Sequence, residues 1–375
     1  MTSFLPEDLT DPDILGVSEF IKNRLYFITY YQNKIPEGTK NLHFFTTNDD
    51  FTGDENSEIV SRISLGTIFK FINVLNKKLT QEKYKEKIIV NYTSGSERKR
   101  RNGAVLIGAY AMTRLQMSPE QVADKLSTHS LPSPIDFLKA MEKAISFGFI
   151  NFYSFNAEDF YNMDDVKLNW IVPNKLLMFN GPLDASNERY LSPRRYIKIF
   201  RYMEVQTIIR ICHVKYDANP FVGADYPHYD INIAGSIPTD EVLEAFLELT
   251  EECEGVVLIH CREYLGRAGC LAGAYLVKHF RLSAEEAVAW MRLCTSECIL
   301  EAQKNWLKDK EATLQKAGEL HKMEGKHSNP CISICAYRSQ EVQSSDKENM
   351  ESSNFDVTAQ LENEIKVEMP EYQVA

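Results

Sequence analysis

The stretch Val256-Val257-Leu258-Ile259-His260-Cys261-Arg262-Glu263-Tyr264-Leu265-Gly266-Arg267-Ala268-Gly269 constrains the fold of this chain more than any other. Four consecutive apolar residues, Val256 to Ile259, read as a buried strand. Gly266 and Gly269 mark a tight turn, where a backbone lacking Cβ folds closely. From Gly269 to Phe280 the residues Leu271, Ala274, Tyr275, Val277 and Phe280 fall at helical spacing. Cys261 therefore stands at the end of a strand and Arg267 near the start of a helix, with five residues between them.

That geometry has a chemical use. Successive N–H groups of such a loop point inward and make an anion cradle, aided by the positive end of the helix. The same field lowers a thiol pKa from about 8.5 to about 3.5–7.5. A thiolate in a phosphate cradle is a nucleophile aimed at phosphorus. Arg267 carries the planar fork that holds two phosphate oxygens at once, and His260 is expected to help hold the thiolate state. The competing reading is a core cysteine at a strand end, the usual fate of a free Cys. It does not explain why strand, Cys, loop, Gly-Arg and helix coincide.

Charge and cysteine content narrow the partners. The formal net charge is −11, which argues against nucleic acid or an anionic membrane and suits a substrate bearing basic residues. No window approaches 18 uninterrupted apolar residues, so no transmembrane helix is expected. Met1-Thr2-Ser3-Phe4-Leu5-Pro6-Glu7-Asp8 has neither the basic start nor the apolar core of a secretory signal. Eight cysteines in 375 residues then read as reduced cytosolic or nuclear thiols. Cys294 with Cys298, and Cys331 with Cys335, lack the His partners of a zinc set. The chemistry requires no metal and no organic cofactor.

Taken in order, residues 1–20 read as a loose acidic start. Strands are expected at Arg24–Thr29, His43–Phe45 and Lys87–Tyr92, with a helix from about Ile59 to Leu79 and another through Ala104–Ala111. The basic run Arg98 to Arg101 reads as loop surface. Ser118 with Glu120-Gln121 opens a short helix, and residues 135–147 form an amphipathic one ended by Gly148. Residues 154–170 are aromatic and acidic and read as a connector, partly helical. A strand and turn follow over Leu176–Pro182 and strands at Thr207–Cys212 and Tyr229–Ile233, with helices over Arg194–Val205, to about Glu252 from a cap at Thr239 or Ser236, over Ala284–Leu293 and from Leu300. From about Lys322 the pattern fails, and residues 338–375 read as a disordered acidic tail.

The chain also repeats itself. Leu106-Ile107-Gly108-Ala109-Tyr110 answers Leu271-Ala272-Gly273-Ala274-Tyr275, and Ser118-Pro119-Glu120-Gln121 answers Ser283-Ala284-Glu285-Glu286, both at an offset of 165 residues. A period this long is a duplicated domain, not a solenoid. The first copy, Tyr92-Thr93-Ser94-Gly95-Ser96, has no Cys at the strand end. It is excluded from thiolate chemistry and is left as scaffold or docking surface.

The Cys-x5-Arg loop resembles the signature of the protein tyrosine and dual-specificity phosphatases. Asn169-Trp170-Ile171-Val172-Pro173, Leu176 to Pro182, Arg98-Lys99-Arg100, Arg24-Leu25-Tyr26-Phe27, Leu75-Asn76-Lys77-Lys78-Leu79 and Gly235-Ser236 with Pro238-Thr239-Asp240 resemble, in collinear order, the CDC14-type members of that superfamily. The resemblance covers roughly residues 20–315. It implies an α/β fold with two tandem phosphatase-like domains, each a central mixed sheet flanked by helices. The expected divisions are residues 1–153 for a non-catalytic domain, 154–172 for an acidic linker, 173–320 for the catalytic domain and 321–375 for the tail. It also implies action on phosphoserine-Pro sites made by cyclin-dependent kinases, with a basic residue following. Glu158, Asp159, Asp164 and Asp165 are the candidates for reading that basic residue. A cytoplasmic or nuclear place, centrosome and spindle included, goes with the resemblance.

Residue by residue, the resemblance makes Cys261 the nucleophile and Arg267 the phosphate-binding arginine. Arg262, Glu263, Tyr264, Leu265 and Gly266 become the substrate cradle, and Gln303 falls where a water-orienting Gln is expected. Three departures stand out. The family's general-acid Asp falls on Ala234, which has no proton to give. Arg262-Glu263-Tyr264 replaces Lys-Ala-Gly, bringing a carboxylate toward a dianion. The hydroxyl residue after the arginine is Ala268. A missing general acid typically lowers the rate by about 10²–10⁴. Asp230 is the nearest acid upstream, though four residues back along a strand. Two readings result: a weakened phosphatase working through a phosphocysteine on phosphoserine, phosphothreonine and phosphotyrosine, or an impaired pseudophosphatase that binds phosphoproteins.

Overall fold

The computed structural model describes residues 11–31, 34–46, 63–93, 95–129, 131, 133–179, 193–211, 216–233, 235–261, 266–295 and 299–324. Two mixed sheets organise them. In the first, strands β1 (Ile14–Ile21), β2 (Leu25–Tyr30), β3 (Leu42–Phe45) and β4 (Ile88–Thr93) lie in the order β1-β2-β4-β3. β1 and β2 form an antiparallel hairpin, and β4 runs parallel to both β2 and β3. Helices α1 (Leu65–Thr80), α2 (Glu97–Leu115), α3 (Pro119–Leu126) and α4 (Ile135–Ser146) accompany this sheet. Next come α5 (Ala157–Asp165), β5 (Leu168–Val172), β6 (Leu176–Phe179), α6 (Pro193–Tyr202), β7 (Val205–Arg210) and the single turn α7 (Asn219–Val222). β8 (His228–Asp230), α8 (Asp240–Glu252), β9 (Val256–His260), α9 (Gly266–Phe280), α10 (Ala284–Cys294) and α11 (Glu301–Met323) complete the chain. The second sheet has the order β5-β6-β9-β7-β8.

The duplication is visible in both topology and chemistry. Each sheet opens with an antiparallel hairpin whose second strand pairs in parallel with a central strand, β4 or β9, and each central strand leads to a long helix, α2 or α9. α3 and α10 both begin with a capping box, Ser118 with Gln121 and Ser283 with Glu286. Gly108 on α2 and Gly273 on α9 occupy equivalent contacts. A Cβ on Gly108 would lie 2.7 Å from Leu138 Cδ2, and one on Gly273 would lie 2.8 Å from Leu307 Cδ2. Glycine at both lets a neighbouring helix close on the one that follows the central strand.

Several expectations need correction. Residues 14–21 are not a loose start but an edge strand. The strand was obscured because its inward positions include Gly16 and Ser18 rather than large apolar residues. The core there is built around the buried His129, whose Cα would lie 2.7 Å from a Cβ on Gly16 and whose Nε2 lies 2.7 Å from Ser18 Oγ. α1 starts at Leu65, later than expected, because Ser64 caps it by accepting from the Thr67 N–H. The basic run Arg98–Arg101 is the first turn of α2, capped by Ser96, and is partly buried rather than loop surface. Residues 154–172 are not only a connector. They hold α5 and the whole of β5, an edge strand of the second sheet. The acidic tail lies outside the described residues.

The two halves share one continuous core. Phe149 packs edge-on against Phe280 (centroids 4.8 Å apart) and lies 5.7 Å from Trp290, whose indole N–H donates to the Ile171 carbonyl at 2.9 Å. Lys143 on α4 pairs with Glu286 on α10 at 2.6 Å and donates to the Arg281 carbonyl at 2.7 Å. Phe149→Ala is expected to cost about 3–5 kcal/mol, as buried aromatic truncations do. The loss should appear as a lower urea midpoint of a single transition that includes both halves. Two separated transitions in the unmodified chain would contradict a shared core.

Candidate active site

β9 is flanked by β6 and β7, both parallel to it, so all three strands end at the same edge. In open α/β sheets that carboxyl edge is where ligands bind. His260, the last residue of β9, is level with Phe179 of β6 and Arg210 of β7. Cys261 follows with 0% exposure, and α9 begins at Gly266 with Arg267 partly buried in its first turn. The expected strand and helix are therefore present on either side of the loop. Arg262, Glu263, Tyr264 and Leu265, and the acid position Ala234, lie outside the described residues. Ala268 is buried in the first turn of α9 and supplies no hydroxyl. Cys270, also buried on α9, has its thiol pushed up to about 12, first by burial and then by the neighbouring Cys261. It stays protonated and is no rival nucleophile.

Gln303 does not have the role expected of it. It is 2% exposed, and both ends of its amide are engaged by backbone. Oε1 accepts from the Leu300 N–H at 2.8 Å, and Nε2 donates to the Ser236 carbonyl at 2.8 Å. Leu300, ahead of α11, offers no polar side chain, so the Gln303 amide three residues on folds back to its N–H. The same amide leaves no room for a side chain at Gly266, where a Cβ would lie 2.3 Å from Oε1. Gln303 thus joins three segments: the turn at Ser236, the start of α11 and the end of the Cys-x5-Arg loop. It positions the end of that loop, and each polar atom of its amide already carries one backbone bond.

A second correction concerns His260. It is 2% exposed, and burial, followed by the charges of His228 and Arg210, lowers its pKa to about 3. It stands beside Cys261 in the chain as a neutral imidazole, not as a cation. Tyr216 Oη lies 2.7 Å from His260 Nε2 and 3.0 Å from His228 Nε2. One hydroxyl proton cannot serve two acceptors, so one of the two imidazoles must donate to the phenol oxygen. Arg210 anchors this arrangement. Its guanidinium grips Asp230 through two bonds of 2.6 and 2.7 Å, donates to the Tyr216 carbonyl at 3.0 Å and sits 4.7 Å from the Tyr216 ring centre. The Arg210 hydrogen bonds hold the Asp230 carboxyl below its usual range. Asp230 is therefore an ionised structural partner and does not replace the missing acid. Sequence reading missed this network because the bonds that join it span 6 to 44 positions.

Among the four acidic candidates, Glu158 and Asp165 are exposed on α5, while Asp164 accepts from Asn169 Nδ2 at 3.3 Å. Glu158 and Asp159 sit in the first turn of α5, where the helix dipole favours them. α5 is held against α1 by Tyr161, whose Cζ would lie 2.7 Å from a Cβ on Gly66. Among the described residues no group of His, Cys, Asp and Glu could hold a metal, and no helix is long and apolar enough to cross a membrane.

Known proteins place this arrangement. The family model described as the N-terminal half of dual specificity protein phosphatases matches residues 19–150. The human dual specificity protein phosphatase CDC14C is 32% identical over 324 residues, which is 80% of this chain and 72% of that protein. The chain belongs to the CDC14-type dual specificity phosphatases. The Danio rerio protein CDC14AB is 37% identical over 334 residues, 82% of this chain and 54% of that protein, and mouse CDC14A is 34% identical over 333 residues, 82% and 55%. The chain thus spans little more than half the length of these two relatives.

Two measurements check the site. Gln303→Ala leaves the Leu300 N–H and Ser236 carbonyl without their partner and is expected to lower stability by on the order of 2 kcal/mol, read from urea unfolding. His260 gives a pH signature. The folded imidazole takes its proton only near pH 3, whereas an unfolded one takes it near 6.5. Between those values the unfolded chain holds more protons, so stability rises with pH and is lost as pH falls below 6.5. His260→Asn should flatten that slope by up to about 1.4 kcal/mol per pH unit. An unchanged slope would mean that His260 is not held neutral.

Proposed function

We propose that this chain is a cysteine-dependent protein phosphatase that works through a phosphocysteine and is slowed by the absence of a general acid. The observation that carries this reading is the buried Cys261 at the carboxyl end of the central strand β9, followed within five residues by the first turn of α9 and Arg267. Membership of the CDC14-type family supports it.

In the first step the Cys261 thiolate attacks phosphorus. An S–P bond forms as the bond from phosphorus to the leaving oxygen breaks. Arg267 and the loop N–H groups hold the three equatorial oxygens, where charge builds up. The leaving oxygen takes its proton from water, since Ala234 cannot supply one. In the second step water attacks phosphorus, the S–P bond breaks, inorganic phosphate leaves and the thiolate is restored. A tyrosine phenol with a pKa of about 10 leaves unaided far more readily than a serine alkoxide. The deficit thus falls mainly on phosphoserine and phosphothreonine. The substrates we propose are phosphorylated proteins, with a basic residue after a phosphoserine-Pro site read by the exposed Glu158 and Asp165 of α5.

The second reading, a pseudophosphatase that retains phosphoproteins, is favoured by Ala268 and Ala234 together. The first removes the hydroxyl that would help break the S–P bond, and the second removes the acid. Turnover of an aryl phosphate separates the two readings. Activity in the unmodified chain that vanishes in Cys261→Ser supports the enzyme, and Ala234→Asp should raise it by about 10² or more. Equal rates in the unmodified chain and Cys261→Ser would leave the binding module.

A further inference from the structure

The connection from α1 to β4 in the first half is wrapped around Arg24. Its Nη1 donates to the carbonyls of Tyr84 (2.6 Å) and Lys87, and its Nη2 donates to that of Leu79 (2.8 Å). The turn so held displays three ammonium groups. Lys78 Nζ lies 3.1 Å from His43 Nε2 and 5.5 Å from the Tyr84 ring centre. Lys83 Nζ lies 4.6 Å from the same ring, and Lys87 Nζ donates to the Thr39 carbonyl at 3.2 Å. His43 stacks on Tyr84 with centroids 4.2 Å apart. Burial and then these same lysines keep His43 neutral, with a pKa of about 4. Among the described residues, Lys78, Lys83 and Lys87 have no carboxylate within ion-pair distance, while Glu82 is paired with Lys85 at 3.4 Å.

Like charges gathered on a pinned turn repel one another, and a counter-anion placed among them gains from all of them at once. In a chain of net charge −11 such a cluster stands apart from the general field. Its size selects the anion. The exposed Glu82 and Glu86 flank the lysines and would repel an extended polyanion or a charged membrane plane. A compact dianion with several terminal oxygens can instead sit among three ammonium groups, which act as point charges for phosphate. We propose that Lys78, Lys83 and Lys87, backed by the His43–Tyr84 stack, dock a second phosphorylated side chain of the phosphoprotein whose first phosphate enters the Cys261 loop. The proposal rests on the phosphatase reading for what enters that loop. It gives the half of the chain without a nucleophile a role in selecting multiply phosphorylated partners.

The test uses the full chain carrying Arg267→Ala, which removes the phosphate fork of the Cys261 loop, and a fluorescent peptide with or without one phosphoserine. The phosphorylated peptide should bind, bind less tightly as salt is raised, and weaken about tenfold or more when Lys78, Lys83 and Lys87 are all changed to Gln, as expected for three partly screened contacts. The unphosphorylated peptide should not bind. The exposed Lys83→Gln alone should give a smaller loss in the same direction, which guards against misfolding of the triple variant. Aryl phosphate turnover in the chain with Arg267 intact should not change with the lysine substitutions. Phosphopeptide binding indifferent to the lysines, equal binding of the two peptides, or lysine-dependent capture by phosphatidylserine vesicles in place of the phosphopeptide would overturn the proposal. Lysine-dependent phosphopeptide binding in a chain without aryl phosphatase activity would support the docking site and remove the catalytic reading.

Discussion

The site depends on β9 being an interior parallel strand. With β6 on one side and β7 on the other, its backbone groups are already paired, and the chain can leave only at the carboxyl edge. Cys261 is the first residue past that edge, and it is 0% exposed. Five residues on, α9 begins at Gly266, and a helix start carries unpaired N–H groups that favour an anion. The remainder of the second half supports this junction. Gln303 fixes Gly266 to α11 and to Ser236, and Tyr216, braced by Arg210 and Asp230, holds His260, the residue before Cys261.

The first half preserves the same scaffold with a different ending. β4 occupies the place of β9, and Thr93 ends it where His260 ends β9. α2 follows with its own cap and with the glycine that lets α4 approach. What is missing is the thiol. Because the two halves share aromatic residues and the Lys143–Glu286 pair, the first half buttresses α9 and α10 of the second.

Much of this was legible in the sequence because the signals were local. The run Val256–Ile259 and the two Ser-x-x-Gln/Glu caps each depend on neighbours within a few residues, and each appears where expected; Gly266 and Gly269, expected in a tight turn, instead lie in the first turn of α9, where Gly266 meets the Gln303 amide. The repeat added the pairing of halves. β1 was hidden because Gly16 and Ser18 point at His129, more than 100 positions away, so its buried face carries little apolar signal. Gln303 was misread for a similar reason. Its amide is engaged by Leu300 and Ser236, and only the second of these contacts is distant, at 67 positions. Family resemblance could place Gln303 near the loop but could not show that both its polar atoms were already bonded. Likewise the neutrality of His260 follows from its burial and from the cations across the sheet, neither of which a neighbouring residue announces.

The central claim is that the sulfur of Cys261 and the guanidinium of Arg267 serve one oxyanion pocket. Calorimetric titration of the full chain with tungstate, a tetrahedral dianion that needs no turnover, tests it directly. The account predicts one site per chain, lost in Arg267→Ala and protecting Cys261 from alkylation. Absence of that site, or a tungstate ion that leaves Cys261 as open to alkylation as before, would contradict it.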